Sequence, residues 1–78
     1  MANPKVSELF STKRAAEILQ RTQFCIWYHS KENLKPVWVE GRLFLTKAML
    51  RTLVENHLRL KPNETLEVLK SRVERAEP

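Results

Sequence analysis

The chain has 78 residues, 42% apolar and 29% charged, a composition that excludes a disordered or fibrous chain and leaves room for one small domain. A single cysteine, Cys25, excludes an internal disulfide and makes a reducing, cytoplasmic compartment the expectation; the opening "MANPKVSELF" has no apolar run suited to a leader or a membrane span. The formal net charge of +5 is unevenly placed, since residues 1–61 carry eleven Lys and Arg against five Glu, and residues 62–78 carry three against four. Such an excess favours a polyanion through counterion release, beside the plainer reading that small proteins are often basic for solubility.

In chain order, the first residues contain Pro4 and few apolar groups and are expected to be loose. Ser11 or Thr12 can cap a first helix, in which "TKRAAEILQR" places Ala15, Ile18 and Leu19 on one face. The small pair Ala15 and Ala16 lets another helix approach closely. Thr22 is the expected cap of a second helix, Gln23 to about Lys31, with Asn33 as its stop. "KPVWVEGRLFL" then changes period: Val37–Val39 and Leu43–Leu45 are strand-formers around the turn signal Glu40-Gly41. Gly41 is the chain's one glycine, which suits a two-residue loop needing positive φ. Such a loop sets Val39 opposite Arg42 and Trp38 opposite Leu43, leaving Arg42 at the tip. Thr46 caps a third helix with Met49, Leu50, Leu53, Val54 and His57 or Leu58 on one stripe. Pro62 ends that run. Asn63 is expected to cap a fourth helix, with Leu66, Leu69 and Val73 inward. That helix either folds back onto the core or projects toward a partner.

The fold class expected is α+β, mainly α: helix, helix, β-hairpin, helix, and an extra C-terminal helix. The stretches "FSTKRAAEIL" and "LKPVWVEGRLFLTKAML" resemble the excisionase and MerR-type winged helix-turn-helix families. The resemblance covers about residues 9–54. It rests on Ser11 with Ala15 and Ala16, the Gln23–Lys31 segment, Leu34 with Val37 and Val39, Gly41-Arg42, and Thr46 with Leu50. Two positions depart from the family pattern: Gln20 stands where the turn usually has glycine, and Arg21 where an apolar residue is common. The resemblance divides the chain into a flexible 1–8, a DNA-binding domain at 9–60 and a C-terminal helix at 61–78.

What the resemblance implies is a non-enzymatic protein that binds double-stranded DNA with its second helix in the major groove and its wing on the neighbouring backbone or minor groove. Small stand-alone members bend DNA near an attachment site, direct a tyrosine integrase toward excision, and self-associate on DNA. A small transcriptional regulator of a phage or mobile element is the alternative. A protein-interaction adaptor using exposed aromatics and the last helix is an alternative of another class.

The candidate DNA contacts are Arg42 at the wing tip, Thr22, Gln23, Trp27 and Lys31 on or beside the second helix, Lys13 and Arg14 on the first, and Lys35 after the second. Gln suits adenine, apolar groups suit the thymine methyl, and the second helix has no arginine for guanine. Its inward face has two readings. Counting from the alanines turns Ile26 inward, with Gln23 and Trp27 outward; counting back from Leu34 turns Cys25 and Tyr28 inward. The first is preferred. His29 and His57 lie far apart in sequence and the chain has only one cysteine, so neither a metal nor another cofactor is expected. Cys25 lacks an oriented base, no glycine-rich phosphate loop exists, and catalysis is not expected.

Overall fold

Each of the four α-helices opens on a hydroxyl side chain, and those residues set where the chain turns. In a computed structural model that describes residues 6–78, Ser11, Thr22, Thr46 and Thr65 each accept the amide hydrogen of the residue three further on, at 3.1–3.2 Å. After a single 3-10 turn at Val6–Glu8, the elements are β1 (Phe10–Ser11), α1 (Thr12–Leu19), α2 (Gln23–Asn33), β2 (Val37–Val39), β3 (Arg42–Leu45), α3 (Lys47–Asn56) and α4 (Leu66–Arg75). The protein is thus an α+β domain of four helices and one three-stranded antiparallel sheet, ordered β1-β3-β2. Of the N-terminal segment expected to be loose, residues 1–5 lie outside the described residues.

The break between α1 and α2 is tight. Gln20 adopts the left-handed conformation (φ 53°, ψ 50°), and the Arg21 amide donates back to the Ala16 carbonyl at 3.0 Å. This closure ends the helix and normally favours glycine. Gln20 holds it without one, its carbonyl accepting from Lys61 Nζ at 2.8 Å.

The hairpin has the expected register: Val39 faces Arg42, Trp38 faces Leu43, and Val37 faces Phe44. Glu40 (φ 51°) and Gly41 (φ 79°) are both left-handed, the pattern of a two-residue turn whose twist matches its strands. Leu43 and Leu45 point into the core. The third strand, β1, was not foreseen; Phe10 pairs with Leu45 and Ser11 with Phe44.

One cluster joins every helix: Phe10, Ala15, Leu19, Ile26, Leu43, Leu45, Leu50, Leu53, Leu69 and Val73 are all buried in it. Ile26 is fully buried, so the count from the alanines holds and Cys25 and Tyr28 are not the core residues. The fourth helix folds back, antiparallel to α3, with Lys47 Nζ donating to the Glu74 carbonyl at 3.1 Å and Lys70 pairing with Glu55 at 3.2 Å. Its start corrects the sequence reading. Pro62 and Asn63 lie in a turn closed by the Glu64 amide on the Lys61 carbonyl at 2.9 Å, so Thr65 is the cap rather than Asn63. Leu66 consequently heads the helix and stays partly exposed, leaving Leu69 and Val73 as the packing stripe.

Arg21 is held by what it binds. Its guanidinium grips the Glu64 carboxylate at 2.7 and 3.0 Å and also donates to the Leu19 and Arg59 carbonyls. The two side chains are 9% and 7% exposed, and the pair straps the α1–α2 turn to the segment entering α4. The Arg21 hydrogen bonds, with a further one from the Lys61 amide, hold the Glu64 carboxyl down at about 2.

Candidate nucleic-acid interface

Three elements converge on one side of the molecule. Thr12 and Lys13 at the start of α1, Gln23 and Trp27 on α2, and Trp38, Gly41 and Arg42 on the hairpin line a cleft of about 430 Å³ floored by Leu43 and Phe44. Capping places the first two sets there. Ser11 and Thr22 start α1 and α2, so the N-terminal turns of both helices, with their amide hydrogens and positive dipole ends, reach the cleft. The glycine turn places the third set, because it fixes Arg42 as the first residue of the returning strand.

Of the eight candidate residues, the cleft gathers Lys13, Gln23, Trp27 and Arg42. Lys31 joins them indirectly, its ammonium lying 4.7 Å from the Trp27 ring centre in a cation–π contact. Thr22 is exposed beside the cleft, and its hydroxyl is already used in capping α2. Lys35 is exposed in the link to β2 and does not line the cleft. Arg14, expected among the DNA contacts, does not line the cleft. It faces the C-terminus, donating to the Glu77 carbonyl at 2.9 Å and approaching Glu17 at 3.6 Å, so it is drawn away from the cleft.

The outer face of α2 is aromatic. Phe24 is 70% exposed, Tyr28 48% and Trp27 36%. Phe24 stacks on both others, with ring centres 6.3 Å from Trp27 and 6.1 Å from Tyr28. Trp38 adds a fourth exposed ring from the hairpin. Sequence reasoning did not single out Trp38. The signal was present in part, since cross-strand pairing sets Trp38 beside Leu43, and both line the cleft.

Charge is sorted as well as concentrated. Arg14, Arg21, Arg51, Lys70 and Arg72 are all in ion pairs, and Lys47 and Lys61 each donate to a backbone carbonyl. Arg51 and Glu74 hydrogen-bond each other, which raises the arginine and lowers the carboxyl from their ordinary values. Among the described residues, the cations with neither kind of partner are Lys13, Lys31, Lys35, Arg42, Arg59 and Arg75, and the first four belong to the cleft, to α2 and to the link that follows it. No three His, Cys, Asp or Glu side chains gather to hold a metal among the described residues, and no helix there is long and apolar enough to cross a membrane.

Comparison with protein-family models, with curated proteins and with solved structures gives no significant match.

Proposed function

We propose that this protein is a winged helix-turn-helix module that binds duplex DNA, with α2 entering the major groove and the β2–β3 hairpin acting as the wing. The observation that carries this reading is the convergence of unpaired Lys13 and Arg42 with Gln23 and Trp27 at the N-terminal ends of two helices. Phosphates favour such helix ends, and a side chain in the first turn of a groove-bound helix meets base edges. Arg42 contacts the backbone or minor groove from the hairpin tip.

Within this class the reading is a DNA-bending protein of the excisionase type. It acts near an attachment site with a tyrosine integrase and self-associates along the site. The resemblance in sequence supports that role. A phage or mobile-element regulator would use the same contacts at a promoter. The exposed rings of Phe24, Tyr28 and Trp38 favour a second reading, a protein-interaction adaptor that docks a partner on this face.

A mobility-shift titration on short duplexes separates the classes. Binding at low salt that weakens in Arg42→Ala, and not in Arg75→Ala, which does not line the cleft, is the expected result. An adaptor binds duplex weakly, and both variants then behave alike. Reconstituted excision by an integrase, with and without the protein, separates the excisionase role from regulation.

A further inference from the structure

Resting on the duplex-DNA reading above, the geometry points to what α2 recognises in the groove: we propose that Phe24, flanked by Trp27 and Tyr28, reads thymine 5-methyl groups, with Gln23 taking a neighbouring adenine. Phe24 is the second residue of α2 and the most exposed large apolar side chain among the described residues. It is braced by rings tilted only 29° and 25° from its own plane, so the three present one apolar surface rather than three loose ones. Their centre spacing of 6.1–6.3 Å is close to two base steps of about 3.4 Å.

The chemistry of the groove leaves this surface one good partner. Major-groove edges offer hydrogen-bond donors, acceptors and a single apolar group, the thymine methyl. A phenyl face laid on a G·C edge covers polar atoms without pairing them, which is unfavourable. α2 carries no arginine to read guanine, whereas the Gln23 amide can pair bidentately with adenine. The surroundings complement DNA in charge: Lys31 sits on the Trp27 ring, and Lys13 and Arg42 share the adjoining cleft, none of them in an ion pair.

The test begins with random duplexes selected on the full chain. The enriched duplex is then made with thymidine or with deoxyuridine, which lacks only the methyl, and titrated by fluorescence anisotropy. Enrichment in A·T pairs is expected, with about fourfold weaker binding for each contacted methyl removed. Phe24→Ala, at an exposed position, should bind the two duplexes with nearly equal affinity. Equal binding of both duplexes by the unaltered protein, or a gap unchanged in Phe24→Ala, overturns methyl reading and leaves DNA binding standing. Failure to bind any duplex overturns both.

Discussion

The proposed DNA binding should depend on salt through the cations that are unpaired. Lys13, Lys31, Lys35 and Arg42 lie on or beside the proposed interface without an ion pair, so four counterions should be released from the duplex when they meet phosphates. Four contacts give a slope of log affinity against log salt of about −3.6, a loss of roughly 150-fold between about 50 and 200 mM. Arg42→Ala should flatten the slope by about 0.9, cutting that loss to roughly 40-fold. Arg75→Ala removes the same charge from the end of α4 and should leave the slope where it was. Anisotropy titrations at four or five salt concentrations measure all three slopes. A slope no steeper than about −1 would show that these four cations do not meet phosphates, and an equal flattening by Arg75→Ala would show that net charge rather than this face governs binding.

Other outcomes concern the fold that holds the face. Because hydrogen bonds from Arg21 and Lys61 lower the Glu64 carboxyl from its ordinary value of 4.5 to about 2, its contribution is complete above about pH 4.5 and is lost as pH falls through 2. In Glu64→Gln, urea midpoints between those two values should therefore show about one proton less taken up on unfolding; an unchanged pH dependence refutes the strap. The Ser30 hydroxyl is fully buried with no hydrogen-bond partner, so Ser30→Ala should raise stability by about 1 kcal/mol, seen as a melting temperature some 4–8 °C higher. Gln20→Gly should add roughly 0.5–1 kcal/mol by relieving the left-handed turn, and a loss of stability would show that the Gln20 side chain matters beyond its backbone.

Features set by neighbouring residues were legible in the sequence. A hydroxyl before a periodic apolar run marked three of the four helix starts, and one glycine between β-branched runs fixed the hairpin register. Features set by distant packing were not. β1 is two residues long, too short to show a period, and exists only because β3 offers it an edge. Asn63 and Thr65 are equally able to cap, and the turn at Pro62 decides between them. Lys13 and Arg14 are adjacent in sequence but about 100° apart around α1, so one faces the cleft and the other the C-terminus. Arg21 finds its partner in Glu64, 43 residues further on, which only the fold brings opposite it.

The arrangement of charge makes more sense as a field than as a source of stability. Exposed pairs such as Arg51–Glu74 and Lys70–Glu55 contribute little to folding, typically below about 1 kcal/mol each. Yet they draw acids onto the cations of α3 and α4, while α1, α2 and the hairpin keep Lys13, Lys31 and Arg42 unpaired. A small basic protein with charge spread evenly could meet a polyanion in any orientation. With those acids so placed, the unpaired Lys13, Lys31 and Arg42 lie beside the only stacked aromatic face among the described residues, and the proposed binding takes its orientation from that side. Arg21 extends the same logic to position. By tying the α1–α2 turn to the entry of α4, it braces the turn from which α2, and with it Phe24, departs. Orientation from the field and aim from the strap are separable: Arg42→Ala should weaken binding to every duplex alike, whereas loosening the strap should erode the preference between duplexes.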